Sequence, residues 1–211
     1  MNDLDIEQKQ VVSKENFLSE ILLLLKSNIL SNDLIQQAEL NANLDSGYSH
    51  ILFPEGQSEI FAALNEYLDS KMLEELEKLS RPAKIRDQIA LAIETRLIEV
   101  VDKQVILNML GYYLLPKNIG LGFTSVANTC DIIWRYAGDK STDFNYYTKR
   151  GLLISAYAAS SAFYLADDSE NRIDTRNFIK NALDNIINIA SLKKTIKLPK
   201  KEDIPIIRLF S

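Results

Sequence analysis

The residue types able to do chemistry are few in this chain. There is one histidine, His50. A Ser-His-Asp or Cys-His nucleophile would have to take that imidazole as its base. His50 lies in an acidic stretch and reads as a surface residue. Di-iron carboxylate bundles take Glu-x-x-His ligands from two helices, which a single histidine cannot supply. The one cysteine, Cys130, allows neither an intramolecular disulfide nor a Cys-rich zinc site. Beside Asp131 and Ile132 on an apolar pattern it reads as a small core residue, in a reducing compartment. The "GLG" at 120–122 lacks a preceding strand, so it makes a poor dinucleotide loop. Glu94, Glu99 and Asp102 share a helical stretch with Arg96 and Lys103. They read as a solvated face with local ion pairs, each contributing roughly 0.2–0.5 kcal/mol. The expectation is a chain without catalytic residues, metal or cofactor.

One connector holds more chemistry than a turn requires. "AGDKSTDFNYYTKR" runs from Ala137 to Arg150 between two apolar stretches. Gly138 suits the end of one helix, Thr142 the cap of the next, and Asp143 its first turn. Tyr146, Tyr147, Lys149 and Arg150 are not needed for capping. They read as a helix-start surface shaped for a partner.

The helix that follows carries two stripes. Gly151, Ser155, Ala158 and Ala162 recur at spacings of four, three and four, with Ala159 beside them. Such a stripe lets another helix approach closely or leaves room for a ligand, and both readings stay open. Tyr146, Arg150, Leu153, Tyr157, Ser160 and Tyr164 form an aromatic, amphipathic stripe, suited to a core edge or to interface anchors.

These residues need helices to position them, and the pattern provides helices almost throughout. Hydrophobic residues make up 46% and charged residues 25%, enough apolar content for a sizeable core in 211 residues. Seven Gly and five Pro are too few for the many turns of an all-β fold. Apolar spacing predicts helices over about 14–28 (capped by Ser13), 31–45 (capped by Ser31 or Asn32), 48–52 and 57–79. Further helices are predicted from Ser80 with Pro82 in the first turn, up to Leu115, over 121–136, 143–165, and from Asp174 to about Ala190. The expected fold is all-α, a bundle of about nine helices. Along the last helix Phe178, Ala182, Leu183, Ile186, Ile187 and Ala190 share a face. With the small-residue helix it would form half of a four-helix homodimer interface.

Three short helices followed by a long one is the order of a tetracycline-repressor-like fold, whose first three helices read DNA. Charge opposes that use. Between Ser27 and Ser70 there is no Lys or Arg, against Asp33, Glu39, Asp45, Glu55, Glu59, Glu66 and Asp69. Phosphate binding needs cations there, so the helix-turn-helix is read as degenerate. The net charge of −5 agrees with no nucleic-acid partner. A ligand-sensing transcription regulator is the alternative. The organisation expected is a degenerate helix-turn-helix region over 1–56, a helical bundle over 57–191 and a basic tail over 192–211. The tail places Lys193, Lys194, Lys197, Lys200 and Lys201 beside "IPIIRLF", a composition suited to an anionic membrane surface or to a solvated terminus. No apolar run approaches the ~20 residues that span a bilayer, and the first residues resemble neither a signal nor a transit peptide.

The connector, preceded by "DIIWRY" and followed by "DDS" and "DTRNFI", resembles the accessory lipid-binding protein family of ubiquinone biosynthesis. The family pattern W-x-x-A-G-D-x-S-T-D-x-N-W-Y-T-K/R-R is met here by Trp134, Ala137, Gly138, Asp139, Ser141, Thr142, Asp143, Asn145, Tyr147, Thr148, Lys149 and Arg150. Tyr146 stands where the pattern has Trp. "IRDQIALAIETRL" and "LLPKNIG" look like further family segments, so the resemblance runs from about Ile85 to Ile189.

The resemblance implies a non-enzymatic, repressor-like all-α homodimer that holds an isoprenoid quinone or phospholipid. It implies presentation of quinone intermediates to the di-iron demethoxyubiquinone hydroxylase, at the inner face of a bacterial plasma membrane or the matrix side of a mitochondrial one. The residues expected to enclose lipid are Leu114, Leu115, Ile119, Ile133, Gly151, Leu152, Ser155 and Ala158. Those expected to meet the hydroxylase are Trp134, Asp139, Tyr146, Tyr147 and Arg150, and the tail lysines are expected to touch membrane.

Overall fold

The computed structural model of the chain describes residues 3–138 and 144–195, with side chains for 10–138 and 149–185. Among the described residues there are nine α-helices and no strand, as the spacing of apolar residues predicts. Helix α1 spans Asp3–Leu25, α2 Asn32–Asn41, α3 Ser49–Leu52 and α4 Gln57–Glu77. Helix α5 covers Ile85–Glu94 and widens into a π-helical turn at Thr95–Glu99. Helix α6 follows at Lys103–Tyr113, then α7 at Ile119–Tyr136, α8 at Phe144–Ala166 and α9 at Ile173–Thr195.

Several boundaries differ from the sequence expectation, each for a local reason. Ser13 lies inside α1 and is no cap. Nothing before Gly47 is Gly or Pro, so nothing stops the helix from extending towards the N-terminus. Ser31 does cap α2, its hydroxyl accepting from Leu34 N at 3.2 Å. The chain then turns at Asn43, which takes a left-handed φ of 55° and ends α2 before residue 45. Ser80 and Pro82 do not start α5, which begins three residues after Pro82. Gln88 donates to Pro82 O at 2.7 Å and accepts from Arg81 Nε at 3.1 Å, which ties 81–84 down as a strap. Asp174 sits within the first turn of α9. The capping carboxylate is Asp167, which accepts from Ser169 N and from Thr175 N and Oγ1 at 2.7, 3.0 and 2.5 Å. Those bonds hold its carboxyl well below the usual carboxylate range. The predicted cap Thr142 lies outside the described residues.

Two hydrophobic clusters form the core, and α4 runs through both. The first joins Phe17, Ile21 and Leu25 of α1 to Leu34 and Ala38 of α2, Phe53, and Phe61, Leu64 and Leu68 of α4. Val105 and Met109 of α6 close it from the other side. The second begins where α4 continues into Met72 and Leu76, and gathers Ile93, Leu97, Cys130, Ile133, Leu153, Tyr157, Ile179 and Leu183. Cys130 is fully buried, and burial pushes its thiol up to about 12, so it is a core residue.

The N-terminal helices explain their missing cations. Helix α3 has four residues, about 6 Å of helix. The α2–α3 corner is closed by a carboxylate. Glu39 is 1% exposed and accepts from Gly47 N at 3.0 Å and Ser49 N at 2.8 Å. Burial works to raise its carboxyl, but the hydrogen bonds from Ser49 and Gly47 outweigh it and hold the group below the usual range. Two of the seven carboxylates between Ser27 and Ser70, Glu39 and Asp69, are therefore interior groups rather than surface charge.

Glu39→Ala removes the acceptor for two backbone N–H groups. It is expected to destabilise the chain by about 1–3 kcal/mol in urea unfolding near neutral pH. The folded carboxyl titrates below its unfolded value, so this contribution is present above the unfolded pKa of about 4.3. It is lost as pH falls through the lower folded value, and the two unfolding midpoints should converge at acid pH. Equal midpoints at pH 7 would contradict the clamp.

Candidate functional site: an apolar cavity beside a buried ion pair

Helix α4 carries Phe61, Asn65, Asp69, Met72 and Leu76 at spacings of four, four, three and four, which aligns all five on one inward face. The two polar residues in that row are therefore buried with the apolar ones. Asp69 is 1% exposed and faces Arg96, which is 3% exposed. Arg96 Nε donates to Asp69 Oδ1 at 2.7 Å and its Nη2 to Asn65 Oδ1 at 3.0 Å. Thr129 of α7 donates to Asp69 Oδ2 at 2.8 Å, and Asn65 Nδ2 donates to Asp69 Oδ2 and to Ser125 O, both at 3.2 Å. Burial pushes the Asp69 carboxyl up, opposed by the Arg96 charge and by hydrogen bonds from Arg96 and Thr129.

The π turn makes this pairing possible. Val100 N donates five residues back to Thr95 O at 3.1 Å, which widens the helix. Thr95, Arg96 and Leu97 of this turn are all buried, as are Ala92, Ile93 and Glu94 before them. The sequence reading of Glu94, Glu99 and Asp102 as a face pairing with Arg96 and Lys103 is corrected here. Glu94 and Glu99 both bind Arg176 of α9, at 2.9 and 2.7 Å. Asp102 caps α6 through Gln104 N at 2.8 Å. Lys103 reaches Asp168 at 3.0 Å.

Beside the ion pair, α6, α7 and α8 leave a cavity of about 220 Å³. Its walls are Leu97, Ile106, Met109, Leu110, Tyr113, Val126, Tyr157, Ala158, Ser161 and Ala162, with Asn65 and Arg96 as the polar members. Leu110, Ala158 and Ala162 are exposed and form the rim. Gly122 brings α7 close to α6: a Cβ there would lie 2.7 Å from Tyr113 Cβ, so any side chain would displace a cavity wall. Tyr113 is also held by its hydroxyl, which donates to Phe61 O at 3.0 Å.

Of the eight residues expected to enclose lipid, Ala158 lines this cavity. Leu114, Leu115 and Ile119 are exposed along the α6–α7 corner, at 65, 45 and 56%. Ile133 is fully buried in the second core cluster, and Leu152 is half-buried. Gly151 and Ser155 face outward with Ala158 and Ala162, so the small-residue stripe of α8 is its exposed side. The aromatic stripe turns inward: Leu153, Tyr157, Ser160 and Tyr164 are all buried. The sequence reading has Arg96 on a solvated face and Tyr157 in the aromatic stripe, neither as a cavity wall, and gives Tyr113 no role. The legible signal was polar Asn65 and Asp69 in an apolar row, which calls for a buried cation.

The second candidate region flanks the connector. Asp131 pairs with Arg150 Nε at 2.5 Å and Arg135 Nη2 at 2.6 Å. Trp134 Nε1 donates to Lys149 O at 3.3 Å, and the Lys149 ammonium lies 5.5 Å from the Trp134 ring centre. On the other side Arg81 donates to Tyr136 O and stacks on the Tyr136 ring at 5.0 Å. Gly138 takes a φ of +84°, the left-handed conformation that ends α7. Together these contacts fix both ends of the connector. Asp139 lies outside the described residues. Tyr146 and Tyr147 lie in the first turn of α8, and their side chains are outside the described set, as are those of Lys193 and Lys194 in α9. Lys197, Lys200 and Lys201 lie beyond the described residues.

Among the described residues no cluster of His, Cys, Asp and Glu could hold a metal ion, and no helix is long and apolar enough to cross a membrane. His50 is exposed, at the edge of a second, more polar cavity of about 210 Å³ between α2 and α4.

Known proteins resemble the part of the chain that holds the connector and two helices of the cavity wall. The sequence model of the COQ9 family matches residues 119–190, which comprise α7, the connector, α8 and most of α9. The mitochondrial ubiquinone biosynthesis protein COQ9 of Rattus norvegicus is 32% identical over 143 residues, 64% of this chain and 44% of the relative. Its Homo sapiens namesake is 34% identical over 88 residues, 42% of this chain and 28% of the relative. A probable ubiquinone biosynthesis protein coq9 from Dictyostelium discoideum is 39% identical over 82 residues, 39% of this chain and 27% of the relative. The matched segment thus spans less than half the length of each of these relatives. The resemblance carried by the connector holds: from residue 119 to 190 this chain is similar to the COQ9 family of ubiquinone biosynthesis.

Proposed function

We propose that this protein is a lipid-binding accessory protein of ubiquinone biosynthesis, which takes a polyprenyl quinone intermediate from a membrane and presents it to the demethoxyubiquinone hydroxylase. The observation that carries the reading is the apolar cavity between α6, α7 and α8, two of which lie in the segment similar to COQ9. A long isoprenoid loses its contact with water on entering such a site, which favours transfer. At about 220 Å³ the cavity is smaller than the ~300–1,000 Å³ of typical ligand pockets. It holds one end of such a lipid. The rest lies along exposed Leu110, Leu114, Ile119 and Phe123, which extend the apolar surface beyond the rim.

Two further parts of the reading follow. The exposed small-residue face of α8 lets a second copy approach closely, making a homodimer that covers the same apolar surface. The connector, anchored at both ends by Arg81 and by Asp131–Arg150, holds the start of α8 with Tyr146 and Tyr147 as the docking point for the hydroxylase. The basic tail gives peripheral contact with an anionic membrane, on the matrix side of a mitochondrion or the inner face of a bacterial plasma membrane. The mitochondrial relatives support the first location. No catalytic residue or cofactor enters this role.

Lipid extraction and mass spectrometry of the purified chain test the central reading. An isoprenoid quinone or phospholipid should co-purify, and its absence together with no uptake of quinone from vesicles would refute it. Light scattering at micromolar concentration should give a dimer mass; a monomer removes the homodimer. For the docking point, Tyr146→Ala should weaken binding to the hydroxylase by about 2 kcal/mol, roughly thirtyfold in affinity. Unchanged affinity would remove Tyr146 from the interface.

A further inference from the structure

The cavity has a polar inner end that helix packing does not use up. Arg96 offers five N–H donors. Two atoms are engaged, Nε by Asp69 and Nη2 by Asn65, and among the described residues Nη1 has no partner. Tyr157 is 7% exposed, and its hydroxyl likewise has no partner among the described residues. Both side chains line the cavity. Among the described residues the fully buried unpaired side-chain atoms are Tyr136 Oη and Ser160 Oγ, so the Arg96 and Tyr157 donors open onto the cavity, where water or a ligand can answer them.

We infer that Arg96 and Tyr157 form a head-group subsite, donating hydrogen bonds to an uncharged acceptor oxygen, such as a quinone carbonyl, at the end of an otherwise apolar ligand. The ligand then enters head first, with its hydrocarbon leaving between Leu110, Ala158 and Ala162. This rests on the reading of the cavity as a lipid site and adds which end of the lipid it grips.

Charge decides the class of head group. Arg96 is already neutralised by Asp69 at 2.7 Å, so the pair adds no net charge to the site. A carboxylate or phosphate placed there would bring a second buried anion with no second cation, which desolvation strongly disfavours. A neutral acceptor fills the free donors and leaves the ion pair intact. Burial pushes the Tyr157 hydroxyl up to about 12, so it keeps its proton and stays a donor across the physiological range. A pure hydrocarbon supplies no acceptor and cannot replace the hydrogen bonds of the water it would displace.

The test measures binding of three probes of equal chain length to the full chain: a benzoquinone with a short isoprenoid chain, the matching hydrocarbon and the matching carboxylic acid. The quinone should bind roughly tenfold or more tighter than the hydrocarbon, and tighter than the acid at neutral pH. Tyr157→Phe, which deletes one oxygen, should lower quinone affinity about fivefold or more and leave hydrocarbon affinity unchanged. Arg96→Lys keeps a cation against Asp69 and should lower quinone affinity in the same selective way. Equal binding of quinone and hydrocarbon, unaffected by Tyr157→Phe, overturns the subsite while leaving the apolar site standing. Tightest binding of the acid overturns the choice of a neutral head. No binding of any probe overturns the lipid reading and the subsite with it.

Discussion

The interior ion pair of Arg96 and Asp69 is the constraint on which the rest of this architecture depends. Two charges removed from water cost several kcal/mol each, and their attraction repays this only where the geometry is good and the remaining lone pairs and protons are met. Here the requirement recruits three helices. Asn65 and Asp69 come from α4, Arg96 from the widened end of α5, and Thr129 and the Ser125 carbonyl from α7. Because the carboxylate accepts from all three, α4, α5 and α7 are registered against one another along their axes, which apolar contact alone specifies loosely. The π turn is the backbone adjustment that brings the guanidinium to that point.

The cavity is a consequence of the same arrangement. A guanidinium and an amide occupy the place where core side chains would otherwise interlock, and α8 meets them with Tyr157 and then with Ala158, Ser161 and Ala162. Small residues cannot fill the space that remains. Gly122 completes the shape by letting Tyr113 and α7 close one wall without a side chain between them. A void of this kind is stable empty only if its polar end is satisfied, which is why the unengaged donors matter for what the site accepts.

The N-terminal helices and the connector depend on local polar clamps of another kind. Glu39 is a backbone acceptor inside the α2–α3 corner, beside an α3 of one turn. Asp167 does the same between α8 and α9, and Arg81 holds the last carbonyl-bearing turn of α7. Each clamp leaves little freedom to the segment it holds. The start of α8 is thereby presented from a fixed base even though its own residues need no capping role there.

Helical periodicity is local, so helix number and approximate extent were legible in the sequence, as were the cap at Ser31, the buried Cys130 and the family resemblance of the connector. Boundaries failed where a distant group decided them: Gln88 holding Pro82 outside α5, or Asp167 capping α9 in place of Asp174. Spacing also separated the two stripes of α8 correctly but could not say which faces inward, because both are apolar enough to be buried. Tertiary packing chose the tyrosines, since their area gains more from burial than the small residues do. Which charge pairs with which was likewise beyond the sequence. Arg96 has carboxylates nearby in the chain at Glu94 and Glu99, yet its partner lies 27 residues away, and only the approach of α4 to the π turn brings them together.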